Sequence, residues 1–365
     1  MRTLRRWAWA VRSDRRLRLL VTLVVAALAY LVVRWGLGFI RSDESPKIAT
    51  MVAAVVLGVT GAWALFWILD NAVGSIPSER IREALIPFVF VGPGLLLLVA
   101  FQIYPTINTG VISFLDKRSE AFVGLENYVF AFTTEDMLIA FRNNLLWLVI
   151  VTSLTVSLGL LIAVLADRVS LESVVKSTIF LPMAISFVGA SVIWKFVYAY
   201  RPPGTAQIGL LNAIVSALGG TPRGWLTHAP QNSFFLMAIM IWIQTGFCMV
   251  ILSAAIKGVP NELMEAARVD GANAFQIFFK ITLPYIRGSI ITVATTVALS
   301  VLRVFDIVYV MTNGQFNTEV IANRMYVEMF KFRNFGHAGA LAVILLVAVV
   351  PVMIVNVRNL RQQRS

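Results

Sequence analysis

The sequence predicts an all-α integral membrane protein of about eight transmembrane helices. Three observations predict it. First, hydrophobic residues make up 58% of the 365 positions and charged ones only 14%, too few to cover a soluble fold of this length. Second, the apolar residues gather into runs of 18 or more, long enough to cross a bilayer as helices. Third, many Lys and Arg flank these runs, so the net charge of +12 reads as membrane orientation and not as nucleic-acid binding.

The expected spans are 19–40, 48–69, 84–104, 145–166, 178–200, 234–256, 286–311 and 338–357. The first follows seven arginines, Arg2, Arg5, Arg6, Arg12, Arg15, Arg16 and Arg18, and is too long for a cleaved signal core. The third contains Pro87, Gly92, Pro93 and Gly94, which a bundle tolerates when neighbouring helices satisfy the freed backbone groups. With the arginine-rich start inside, an even number of spans returns the tail, bearing Arg358, Arg361 and Arg364, to the inside; the balance of basic residues between loops supports N-in, C-in. The first two spans, almost without polar residues, are expected to form an accessory region over 1–80, ahead of a six-helix core over 81–365. Cys248 stands alone in an apolar run, which excludes a disulfide framework.

The most informative segment is the expected inside loop Gly258–Pro284. Pro260 and Asn261 are helix-start signals, and Glu262 and Glu265 fall in the first turns, where the helix dipole favours acids. Ala266 and Ala267 are small enough for another surface to approach closely. Gly271, after Asp270, can supply a left-handed stop. Asn273 and Gln276 form a plausible capping box for a second short helix carrying Phe275, Phe278, Phe279 and Ile281, which Pro284 is expected to stop before the seventh span. A short acidic helix, a sharp turn and an interfacial helix make a knob through which a soluble motor can push a membrane domain.

The spacing Glu265-Ala266-Ala267, three residues, Gly271, nine residues, Ile281-x-Leu283-Pro284 resembles the EAA signature of ATP-binding-cassette importer permeases. The resemblance extends over roughly residues 84–360, and is to the carbohydrate branch of the maltose-permease F type. Phe101-Gln102-Ile103-Tyr104-Pro105, Gly124-Leu125-Glu126-Asn127-Tyr128, Leu181-Pro182, Ile193-Trp194-Lys195 and Val304-Phe305-Asp306 are similar to its landmarks. Thr312-Asn313-Gly314-Gln315-Phe316 departs from the usual Gly-Gly-Pro and is similar to alpha-glucoside permeases of that branch. The resemblance implies a type I importer fold in a bacterial or archaeal cell membrane and a sugar substrate. It also implies four partners: a second, related permease, two ATPase subunits holding ATP and Mg, and an extracytoplasmic solute-binding protein. Coupling to the ATPases would run through Glu262, Glu265, Ala266, Ala267, Asp270, Gly271 and Pro284. Pathway positions implied by the same alignment are Met183, Phe187, Met240, Ile243, Gln244, Phe247, Val297, Val301 and Val304.

No G-x-x-x-x-G-K-[ST] loop occurs, so this chain is expected to bind no nucleotide or other cofactor and to be a non-catalytic subunit. Arg303 and Asp306, three apart in the seventh span, are expected to face one another on one helical face, as a structural pair or as part of the pathway. Gln244, Thr245 and Ser186 interrupt apolar runs as interhelical hydrogen-bonding groups or substrate contacts. His228 and His337 lie far apart without a ligand cluster, so no metal site is expected. The rival reading is an ion-coupled secondary transporter, which usually needs titrating acids at the midplane; Asp306 is the one clear candidate.

Overall fold

A computed structural model describes residues 15–42, 46–167, 169–202 and 204–362. Arg2, Arg5, Arg6, Arg12 and Arg364 lie outside the described residues. Among the described residues the fold is helical, with one isolated bridge, Leu115 to Phe122. Six helices are long and apolar enough to cross a membrane: α1 (Arg16–Ile40, begun at Arg15), α2 (Lys47–Gly74), α3 (Glu79–Ile112), α5 (Glu135–Ala166), α9 (Gln231–Lys257) and α15 (Phe335–Asn359, continuing to Gln362). Two bent pairs of helices are long and apolar enough only when taken together. The first joins Glu172–Ala184, whose α-helical part is α6 (Glu172–Phe180), to α7 (Phe187–Val197) at 101°; the second joins α11 (Ala274–Tyr285) to α12 (Arg287–Leu302) at 66°. Short helices α4 (Glu126–Thr133), α8 (Leu210–Ala217), α10 (Asn261–Val269), α13 (Asp306–Met311) and α14 (Ile321–Tyr326) complete the set.

The chain divides into two compact units, Met1–Ile107 and Asn108–Ser365. The third helix groups with the first two because it packs on α2, with Phe66 and Phe90 stacked at 6.4 Å. Within this unit Arg18 ties α1 to the end of α2. Its Nε donates to Asn71 Oδ1 at 3.2 Å and its Nη1 to Gly74 O at 3.1 Å, so this cation caps the helix C-terminus through its last carbonyl.

The second unit is organised around α9, the most buried span, whose Met237, Met240, Cys248, Met249 and Leu252 form the core with Trp147 and Val151 of α5 and Val293, Val297 and Val301 of α12. Helix α5 starts ten residues before the apolar run does. Asn143 and Asn144 therefore sit inside the helix, buried, and reach across to later segments. Asn144 Nδ2 donates to Leu302 O at 3.4 Å and its Oδ1 accepts Ile321 N–H at 2.9 Å.

Two expected straight spans are broken. The apolar run from Thr178 turns at Ile185, in extended conformation, and Ser186 caps α7, its hydroxyl accepting Gly189 N–H at 3.1 Å. Ser186 is thus a helix cap and not an interhelical bridge. Thr245 likewise bonds within its own helix, to Ile241 O at 2.6 Å. The run 286–311 stops at Leu302 and resumes at Asp306, with Phe305 (φ −139°, ψ −59°) between. Phe305 leaves the helix axis to pack on Tyr309 and Tyr326, at 5.1 and 5.2 Å.

Candidate functional site

The site starts where α9 ends, at Lys257. Helix α10 opens after Pro260 (φ −57°), with Glu262 in its first turn. It closes in a Schellman arrangement: Ala272 N–H donates to Ala267 O at 2.9 Å and Gly271 N–H to Arg268 O at 3.0 Å, with Gly271 at φ +81°. The capping box forms next, Gln276 N–H to Asn273 Oδ1 and Asn273 N–H to Gln276 Oε1, both at 2.9 Å.

Helix α10 is thereby held away from the bundle on two local locks. Ala267 is its buried contact, while Glu262, Glu265, Ala266, Asp270 and Gly271 are all exposed. Val269 is 88% exposed beside them, so the exposed residues join three carboxylates to a small residue and an apolar one. None of the described residues covers that face. On the bundle side a groove of about 280 Å³ runs between the loop, through Met264, Arg268 and Phe278, and the spans, through Val164, Asp167 and Ile256.

Pro284 does not end the second helix. The chain stays helical to Tyr285 and breaks at Ile286 (φ −86°, ψ 4°). A π-helical turn over Phe278–Thr282 precedes Pro284 and accommodates the ring and its missing N–H, which an unbroken α-helix could not do without a kink. Phe275 and Phe279 face out from this segment with centroids 4.4 Å apart.

Under the α10 loop lies an ion cluster that sequence patterns did not reveal. Lys176 Nζ donates to Asp167 Oδ1, to Ser253 Oγ and, at 2.5 Å, to Glu172 Oε1. Ser253 Oγ donates to Asp167 Oδ1 at 2.8 Å, and Lys257 Nζ reaches Glu172 Oε1. The ends of α5, α6 and α9 are tied at one point by residues far apart in sequence.

The expected pathway residues separate into three groups. Phe187, Met240 and Val304 line one small cavity, together with Ser300, Arg303 and Asp306. Gln244, Val301, Ile243 and Val297 are buried in the core, Phe247 is half-buried, and Met183 is 40% exposed. The expected pairing of Arg303 with Asp306 is not made: no ion pair joins them among the described residues. The break between α12 and α13 ends their helical register, leaving the exposed Arg303 Nε on Leu299 O at 3.2 Å and Asp306 at the N-terminus of α13, where the dipole favours an acid. The two charges are thus available to a third group. Sequence reasoning missed Ser300, one of several hydroxyls on α12; its spacing of three from Arg303 was the signal available.

At the other end of the bundle, Glu328 is buried and accepts from Arg324 Nε at 3.0 Å and pairs with His337 Nδ1 at 3.2 Å, while Arg324 also holds Asp136 at 3.0 Å. His337 thus serves an ion network, stacked on Phe130 at 3.7 Å.

Residues 155–361 match the family described as the binding-protein-dependent transport system inner membrane component. The chain belongs to this family. It is a multi-pass membrane permease subunit of an ATP-binding-cassette importer. It is 62% identical over 76% of its length, and 99% of the relative's, to an osmoprotective compounds uptake permease of Synechocystis sp.. It is 48% identical, over 86% of this chain and 96% of the relative, to an alpha-glucoside transport system permease of Rhizobium meliloti. The fold is similar to a chain of a bacterial ABC transporter that imports alginate, at a TM-score of 0.67 and 22% identity over 78% of this chain and 99% of that one. The ion-coupled reading finds no support in these likenesses.

Proposed function

We propose that this chain forms half of a translocation pathway for a small alpha-glucoside, and that α10 docks in a groove of an ATPase subunit. The observation that carries the coupling role is the exposed face of Glu262, Glu265, Ala266, Val269 and Asp270, held out between two spans by a Schellman stop and a capping box. Carboxylates there can pair with cations on a groove wall, and Ala266 lets backbones approach. Pro284 serves at the bend that redirects the chain into α12. Since the chain has no phosphate loop, ATP and Mg belong to two partner ATPase subunits. A second permease completes the pathway, and an extracytoplasmic binding protein delivers substrate.

The arginine-rich start and the basic tail favour N-in, C-in, which puts α10 in the cytoplasm. The residues assigned to the substrate pathway are those of the small cavity, Phe187, Met240 and Val304, with Gln244, Phe247 and Val301 on the helices that carry it and Met183 just before the elbow. Asp306 and Arg303 supply hydrogen-bond partners for hydroxyls, and Phe187 and Phe305 supply flat apolar faces, the mixture a sugar needs. The alpha-glucoside class is favoured by the named substrate of the Rhizobium relative.

The test is uptake into vesicles bearing the assembled transporter, with labelled trehalose and sucrose as probes. Glu265→Lys abolishes ATP-dependent uptake and loosens the ATPase on copurification. Uptake and copurification unchanged in that variant would reject the coupling role, and uptake of neither probe by the parent protein would reject the substrate class.

A further inference from the structure

We propose that Lys176 and Asp167 are positioning residues that transmit movement of the α10 loop to the α6–α7 elbow, and so to the pathway. The inference rests on the proposed coupling role and adds the route inside this chain.

Four observations carry it. Lys176 makes hydrogen bonds to residues on three separate elements, Asp167 after α5, Glu172 on α6 and Ser253 on α9, with its side chain only 17% exposed. A half-buried cation with three polar partners resists sliding between those elements, because each displacement costs it hydrogen bonds. Second, Asp167 belongs to two structures at once. Its Oδ1 holds the ion cluster, and the residue also lines the groove under α10, opposite Arg268. Its Oδ2 is buried without a hydrogen-bond partner, so one acceptor of the carboxylate is unsatisfied. The Arg268 guanidinium makes no hydrogen bond or ion pair among the described residues, which leaves a cation on α10 and an unpartnered carboxylate oxygen of Asp167 at the same groove. Third, Lys176 stands on the outer arm of the 101° elbow, and Phe187 begins the inner arm. Fourth, Phe187 lines the cavity that also holds Asp306 and Arg303.

The mechanical sequence is then short. Displacement of α10 brings Arg268 toward Asp167 Oδ2. Asp167 carries Lys176 with it through Oδ1, Lys176 moves α6, and the elbow turns α7 with Phe187. This is a chain of packed and hydrogen-bonded groups joining two sites, and it becomes a coupling route only if breaking one link separates the two ends.

The experiment uses the complete transporter, with ATPases and companion permease, in vesicles. A cysteine is placed by Phe187→Cys in a Cys248→Ser background, and its rate of reaction with a maleimide is measured with and without ATP. In the parent background ATP changes that rate severalfold. Lys176→Met removes at least nine-tenths of the change while the ATPases stay bound and ATP hydrolysis falls less than twofold; Lys176→Arg restores most of it. Should Lys176→Met not assemble, Asp167→Asn and Ser253→Ala, which keep side-chain size, carry the same expectation to a smaller degree. An ATP-dependent change that persists at full size in Lys176→Met, or in both milder variants, overturns the inference and leaves the coupling role standing. Absence of any ATP effect in the parent background removes the coupling role and this route together.

Discussion

Gly159 of α5 lies so close to Cys248 of α9 that a Cβ added at 159 would fall 2.4 Å from Cys248 Cβ and 3.0 Å from Met249 N. Spans associate without a hydrophobic drive between them, so close backbone approach at a small residue is how α5 and α9 gain contact. Gly159→Ala pushes the two helices apart along the central seam of the bundle, at a cost of about 1–3 kcal/mol. The loss is read as a fall in the thermal midpoint of the detergent-solubilised protein. Cys248→Ala does not rescue it, since the clash is with Cβ; Cys248→Gly recovers part, the backbone of Met249 remaining in the way.

Asn143 should prove more sensitive than any apolar neighbour on α5. Its Nδ2 donates to Asn317 O at 2.7 Å and to Glu319 O at 2.8 Å. The loop it holds contains Asn313, Phe316 and Asn317 at positive φ, a conformation that side chains other than glycine resist. Asn143→Leu leaves two carbonyls unpaired, at roughly 1–3 kcal/mol for a buried group. Asn143→Asp fails as well, because a carboxylate offers acceptors where donors are needed. Faster protease cleavage within 313–317 in both variants, with the spans intact, is the expected outcome.

What was legible in the sequence followed from local signals. Pro260, Gly271, Asn273 and Gln276 each act on backbone within a few residues, so the short acidic helix, its stop and the next cap could be read in order. Apolar run length likewise marked the spans. The breaks were not legible. The run from Thr178 to Tyr200 is continuous in hydropathy, and its elbow depends on Ser186 capping α7, which a hydropathy pattern does not distinguish from a polar contact. The helix break at Arg303–Phe305 depends on Phe305 finding Tyr326, twenty-one residues later. The same reason hid the Lys176 cluster, whose members come from α6, α9 and the end of α5.

Glu319 makes the 312–320 loop respond to pH. The side chain is half-buried, and burial pushes its pKa up, against hydrogen bonds from Asn323 Nδ2 at 2.7 Å and Val320 N–H at 3.0 Å that pull it down; the net direction is up. A carboxyl that holds its proton more tightly when folded gives stability that is complete below its unfolded value and is lost as pH rises through the folded one. The loop is therefore expected to become easier to cleave as pH rises from the ordinary carboxylate range toward neutrality. Glu319→Gln keeps an acceptor oxygen and flattens that dependence. A profile as steep in Glu319→Gln as in the parent would assign the effect to another group.

At Gly271 the backbone alone sets the requirement. Its φ is +81°, and an added Cβ would meet nothing within 4 Å. Space is therefore not limiting; handedness is. A β-branched residue in the left-handed region costs about 1–2 kcal/mol, and asparagine considerably less because its short side chain bonds locally. Gly271→Val opens the Schellman bonds from Ala272 and Gly271, lets the end of α10 fray and disorders Glu265 and Val269 on the face proposed to dock. Copurification of the ATPase should fall several-fold with Gly271→Val and stay near the parent level with Gly271→Asn. Equal losses in the two would mean that the ATPase touches residue 271 directly and that its surface, not its φ, is what matters.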